Sequence, residues 1–192
     1  MALIGRRYGD ALVDRAVIIG ENNISGFLEQ ELHVTMASFH FGAWEYLPQL
    51  FSRRGCRVNL VVGVQRARKL ARMLLKMRRS NQVRLARSLR ESMRSLGRSG
   101  ISGFMLDNTS RGRRVWPVQD SICFGMPGYP FKLDSGLAPA FAFFARGRLH
   151  VRVYEKGNES GALKALLEQV KLRPEEWIFW GKAGAVRPIT DD

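Results

Sequence analysis

Val34-Thr35-Met36-Ala37-Ser38-Phe39-His40-Phe41-Gly42-Ala43-Trp44-Glu45 decides the fold class of this chain. The first six residues form a near-continuous apolar run of strand length, the pattern of a strand buried on both faces. Histidine ends the run, glycine permits a sharp change of direction, and Trp44 to Arg54 reads as a helix whose regular part Pro48 confines. The unit is strand, turn, helix. Its histidine stands at the strand end, where ligand sites of open α/β sheets lie. Histidine is the side chain best suited to take a proton near neutrality and return it. Glu45 is the candidate to fix its tautomer and steady the imidazolium. On one continuous helix the two would sit about 140° apart, so His40 must stand at the strand end and Glu45 in the first helical turns.

Outward from this unit the pattern keeps alternating between helix and strand. Helices are predicted over Arg7–Ile19 and Ile24–Glu31, the second capped by Asn22 or Asn23. Strands are predicted at Val58–Gly63, Ile101–Leu106 and Leu149–Tyr154, with a short one at Val115-Trp116. Two basic helices are expected after the second strand. Ala67, Leu70, Ala71, Leu74 and Met77 recur at helical spacing in one, Leu85, Leu89, Met93 and Leu96 in the other. Ser135–Ala145 and Ser160–Lys171 also read as helices. The expectation is one α/β domain over residues 1–192, a mixed, mostly parallel sheet flanked by helices, with residues 1–32 as a helical preamble.

The chain has 192 residues, 45% apolar and 25% charged, which suits a globular domain with a core of its own. Cys56 and Cys123 are too few for a disulfide scaffold and read as buried free thiols. Three scattered histidines give no zinc spacing, so no metal site is expected, and His33 and His150 read as structural. Neither a phosphate-binding glycine loop nor the Gly-x-Ser-x-Gly nucleophile elbow occurs, so no cofactor is expected. The longest uncharged apolar run, Ala138 to Ala145, falls far short of the roughly 18 residues a membrane-spanning helix needs.

The net charge of +14 is concentrated. Residues 66–98 hold twelve Lys or Arg, including Arg78 and Arg79, against the single acid Glu91. Such a segment attracts an acidic protein, anionic lipid or nucleic acid; a solvated face with no specific partner is the plain alternative. Aromatic residues and nucleic-acid motifs are sparse there, which places nucleic acid behind the other two.

His40-Phe41-Gly42-Ala43-Trp44-Glu45 resembles the His-x4-Glu signature of the bacterial lipid A late acyltransferases, within the lysophospholipid and glycerophosphate acyltransferase superfamily. Further similarities follow in order. Arg78-Arg79-Ser80-Asn81 is similar to the family's arginine-rich segment, Leu106-Asp107-Asn108 to its strand-end aspartate, and Cys123-Phe124-Gly125 to its Phe-Phe-Gly turn. Pro174-Glu175-Glu176-Trp177 resembles its closing segment, so the resemblance spans roughly residues 33–180. The chain departs from the family in three respects. It resembles a short form without the opening membrane helix, a strand after Ala145 is missing or shortened, and Trp180-Gly181-Lys182 lacks the usual histidine and arginines.

The resemblance implies transfer of a fatty acyl chain from acyl-carrier protein or coenzyme A to a hydroxyl of a lipid or glycolipid. His40 would be the general base and Glu45 its partner. Arg78, Arg79, Asp107, Trp44, Phe124 and Gly125 would contact substrate. An oxyanion would be met by a cation near Arg79 or by backbone N–H groups in the turn after Phe39. The acyl chain would lie in an apolar groove near Phe39, Phe41, Trp44 and Phe141–Phe144. The expected location is the bacterial cytoplasm, peripheral to the inner membrane. Two alternatives stand beside this reading: a catalytically degenerate lipid-binding relative, and a non-enzymatic basic protein that binds nucleic acid.

Overall fold

The computed structural model describes residues 9–30, 33–61, 83–86, 100–107, 114–119, 122–126 and 137–178. Residues 9–14 are helical (α1). Then come β1 (Val17–Ile19), α2 (Asn22–Glu29), β2 (His33–Ser38), a 3-10 turn (Trp44–Tyr46), α3 (Leu47–Arg53), β3 (Val58–Val61) and β4 (Val83–Ala86). The second half adds β5 (Gly100–Met105), β6 (Arg114–Gln119), β7 (Ile122–Met126), β8 (Ala138–Ala145), β9 (Arg148–Val153), α4 (Glu159–Leu172) and a 3-10 turn (Pro174–Glu176).

Seven strands form one sheet in the order β1-β9-β8-β2-β5-β3-β4. Every neighbouring pair is parallel except β8 with β9. This is the mixed, mostly parallel α/β sheet expected from the alternation of elements. β6 and β7 pair antiparallel as a separate two-stranded sheet. No helix among the described residues is long and apolar enough to cross a membrane.

The sheet separates two apolar layers. On one face α4 packs Leu163, Leu166 and Val170 against Phe39, Phe104, Phe141 and Phe143. On the other, α1, α2 and α3 bring Val13, Ile24, Leu50 and Phe51 onto Val34, Met36 and Ile101. β8 shows how one strand serves both. Ala138, Ala140 and Ala142 face the α2–α3 layer, while Phe141 and Phe143 face α4.

Several expected elements differ. Ser135–Ala145 is predicted to be helical, yet Ala138–Ala145 is an interior strand between β2 and β9. Its small and large residues alternate with period two, and burial on both faces hides the polarity contrast that marks a strand. β9 is the strand expected at Leu149–Tyr154, and it follows β8 directly through a hairpin with no further strand between them. Val17-Ile18-Ile19 leaves the predicted first helix to form β1 on β9, as a β-branched run favours. The first 32 residues are therefore not a purely helical preamble.

Val83–Ala86, expected at the start of the second basic helix, is strand β4 on the sheet edge, paired with β3. Val83-Arg84-Leu85 alternates, and that pairing overrides the helical spacing. The remainder of both basic helices, with Arg78 and Arg79, lies outside the described residues. Phe124 and Gly125 sit within β7, opposite Trp116 and Val115, and not in a turn. The expected Asn22 or Asn23 cap is also displaced. Glu21 takes the cap position, and the Asn23 side chain donates to the Val153 carbonyl at 2.9 Å.

Candidate active site

β2 and β5 lie side by side, parallel, with Ser38 opposite Met105. That register carries two residues further. His40 and Asp107 each stand two positions past the end of their strand, so both emerge together at the carboxyl edge of the sheet. The Asp107 carboxylate is wholly buried. Its Oδ1 lies 2.7 Å from His40 Nδ1, and its Oδ2 accepts the His40 backbone N–H at 2.7 Å. The Trp177 indole N–H also donates to Oδ2, at 2.8 Å. A carboxylate only accepts, so the Nδ1 contact places the ring proton on Nδ1 and the lone pair of the neutral ring on Nε2.

The turn that carries His40 is held on both sides. Gly42 N–H donates to the Glu176 carbonyl at 2.8 Å, and Ala43 N–H to the Ala142 carbonyl at 2.7 Å. The His40 carbonyl accepts from Ile178 N–H at 3.1 Å. Gly42 has φ +54°, and a Cβ there would lie 2.5 Å from the Ala142 carbonyl oxygen. No other residue satisfies both the left-handed conformation and that approach. Phe41 N–H closes back on the Phe39 carbonyl at 2.8 Å. The backbone N–H groups of residues 40–43 are thus all engaged within the protein. The expected oxyanion donors in the turn after Phe39 are therefore not offered by these four amides.

The His40 side chain keeps 25% of its surface exposed, while Asp107 beneath it has none. Trp44 meets the imidazole edge-on, with ring centroids 5.3 Å apart. Glu45, expected to fix the tautomer, is carried half-buried on the 3-10 turn Trp44–Tyr46. The carboxylate on Nδ1 is instead Asp107, which the sequence places among substrate contacts. His33 faces Ser102 inside the sheet, Nε2 to Oγ 2.9 Å, and His150 stacks on Phe143.

Most of the residues expected to border the acyl chain lie in the core. Phe39, Phe41 and Phe141 are fully buried packing of the α4 layer, with Phe41 and Phe141 edge-to-face at 5.1 Å. A narrow apolar cleft opens on the opposite face, beneath α3, lined by Met36, Ser38, Leu47, Pro48, Leu60 and Met105. Ser38 and Met105 are the residues from which the chain runs on to His40 and Asp107. The site thus gathers His40, Asp107 and Trp44 with one residue outside the expected set, Trp177. Its signal was available: an indole N–H in an apolar closing segment needs a buried acceptor.

No protein-family model matches the chain, and no curated protein matches it. Among solved structures it is similar to the crystal structure of the 1-acyl-sn-glycerophosphate (LPA) acyltransferase PlsC from Thermotoga maritima. The two are 14% identical with a TM-score of 0.47, over 88% of this chain and 75% of that chain. At this level of likeness, what the chain does has to be read from its own site.

Proposed function

We propose that the chain is an acyltransferase that moves a fatty acyl group from a thioester donor, acyl-carrier protein or coenzyme A, to a hydroxyl of a lipid or glycolipid. The observation that carries this reading is the buried Asp107 carboxylate on Nδ1 of a part-exposed His40 at the sheet's carboxyl edge. That arrangement suits a base acting through Nε2, with the carboxylate stabilising the imidazolium as it forms.

In the proposed reaction Nε2 takes the acceptor's hydroxyl proton as its oxygen attacks the thioester carbonyl. The tetrahedral oxyanion collapses and expels the thiolate, which recovers the proton from the imidazolium. An ester and a free thiol result. Direct transfer is favoured because the chain has no nucleophile elbow. Glu45 is proposed as a second carboxylate assisting the charged imidazole. Arg78 or Arg79 would meet the developing oxyanion, a need sharpened by the commitment of the turn's own amides. The basic segment of residues 66–98 would draw in an acidic carrier protein or anionic lipid.

The test is thiol release from acyl-coenzyme A and acyl-carrier protein with glycerolipid and glycolipid acceptors, each product identified by its added acyl mass. Purified folded protein that transfers no acyl group from either donor would refute the proposal.

A further inference from the structure

The segment that closes the described chain holds the site from two directions. Residues 176–178 run antiparallel to the turn that carries His40, with Phe41 opposite Trp177. The Glu176 carbonyl takes the Gly42 N–H at 2.8 Å, and the Ile178 N–H donates to the His40 carbonyl at 3.1 Å. One short segment thus grips the backbone on both sides of Phe41. Its central side chain reaches elsewhere. The Trp177 indole, 2% exposed, sends its N–H into Oδ2 of Asp107 at 2.8 Å.

A buried indole N–H needs an acceptor, and any backbone carbonyl would satisfy packing alone. Here the acceptor is the carboxylate that faces the imidazole. Asp107 Oδ1 lies 2.7 Å from His40 Nδ1, and Oδ2 receives the His40 backbone N–H at 2.7 Å. Both of those contacts come from His40 itself, the residue that the carboxylate has to orient. Trp177 supplies a donor that is independent of His40. With donors from two separate segments on Oδ2, the plane of the carboxylate is set and Oδ1 has one direction to face. The indole is in turn locked by packing. It lies against Phe39, ring centroids 6.2 Å apart, in the apolar layer that α4 covers with Leu163, Leu166 and Val170.

We propose that Trp177 is a positioning residue for the His40–Asp107 pair: its indole N–H fixes the Asp107 carboxylate in the orientation that keeps the imidazole proton on Nδ1 and the basic lone pair on Nε2. Trp177 touches no reacting atom in this role and acts through Asp107. Without the indole donor, Oδ2 keeps only the His40 amide and the carboxylate pivots about that bond. The ring then spends part of its time with the proton on Nε2, where it cannot accept one from a hydroxyl. The consequence for turnover rests on the acyltransferase reading. The consequence for the tautomer does not, and is read without substrate.

The experiment is nitrogen-15 NMR of histidine-labelled protein at about pH 9, above the ordinary range of histidine titration, with the His40 signals assigned by their loss in His40→Ala. In wild type Nδ1 should carry the proton. Trp177→Phe keeps a buried ring and deletes the N–H. It should put a detectable share of the ring in the Nε2–H form and lower kcat about 10- to 100-fold with KM unchanged, the size of one hydrogen bond to a charged group. If Trp177→Phe does not fold, 3-benzothienylalanine at position 177 keeps the shape of the indole, with sulfur where the N–H was, and should show the same two changes. Leu166→Ala is the control for packing. It opens the same apolar layer, should lower the urea midpoint at least as far, and should leave the tautomer as in wild type. A folded Trp177 variant that keeps the wild-type tautomer refutes the proposal, whatever its turnover. So does wild type with its proton on Nε2, or a Leu166→Ala protein whose tautomer shifts as far as that of Trp177→Phe. If the tautomer shifts in the Trp177 variants while wild type transfers no acyl group from either donor, the acyltransferase reading fails and the positioning role stands.

Discussion

Replacing Asp107 by asparagine separates the chemistry of the site from its stability. The carboxylate receives two N–H donors on Oδ2, from His40 backbone and Trp177 indole, and one contact on Oδ1, from His40 Nδ1. An amide has one accepting and one donating end. Its oxygen is best placed on the Oδ2 side, where it keeps both donors, which leaves its NH2 group facing Nδ1. The imidazole must then accept at Nδ1 and carry its proton on Nε2, where no base remains. The fold loses only the difference between a charged and a neutral acceptor, about 1–3 kcal/mol. Catalysis loses the correct tautomer, a penalty of about 10⁴-fold for a histidine base held this way. Asp107→Ala should show the opposite emphasis in stability, since two buried donors go unpaired at about 1–3 kcal/mol each. Thiol release from the acyl donor measures the first effect, and the urea midpoint measures the second. An Asp107→Asn protein that keeps transfer within about threefold of wild type would refute the role given to this carboxylate; the corresponding free-energy change is well below that of losing a base.

Other changes test neighbouring parts of the site. His40→Ala should reduce transfer by about 10²- to 10⁴-fold while the protein remains folded by circular dichroism. Glu45→Gln should impair turnover with little change in unfolding midpoint; full activity would leave Asp107 as the sole orienting carboxylate. Gly42→Ala should cost about 2–4 kcal/mol in urea unfolding, because the new methyl meets the Ala142 carbonyl and φ is positive. Burial pushes the Cys56 thiol up, with Glu21 adding to the rise and Arg54 opposing it. In a Cys123→Ser background its alkylation at about pH 8 should be slower than that of free cysteine and should keep rising at higher pH; a free-cysteine rate would contradict this.

The central strand and its histidine were readable because a continuous apolar run, a histidine and a glycine constrain one another over a few residues. β8 was not, because alanine favours helix by propensity and a strand buried on both faces shows no polar alternation. Its size alternation, alanine against phenylalanine, was the unused clue. β1 is three residues long and owes its strand state to β9, far away in the chain. The site divides along the same line. His40 and Asp107 could each be recognised as strand-end residues. Their meeting depends on the register of β2 against β5, which no local pattern encodes. Glu45 could be read from its spacing to His40, whereas the contact of Asp107 with His40 Nδ1 is delivered by a neighbouring strand.

The sheet order has a consequence for how the chain comes off the ribosome. β1 pairs with β9 through Val17 and His150, separated by about 130 residues, and β2 lies between β8 and β5. At about 5–20 residues per second, the first strand waits on the order of 10 s for its partner. Meanwhile β2 can pair with β5 but leaves its other edge, including Met36 and Ala37, open until Ala138 and Pro139 arrive. Such long-range pairing folds slowly and exposes apolar edges in the meantime. Trp177 arrives later still, so the carboxylate that holds His40 is sealed only when nearly all of the described chain has been made. Nascent chains halted before Trp177 would carry His40 and Asp107 without the wall that encloses them.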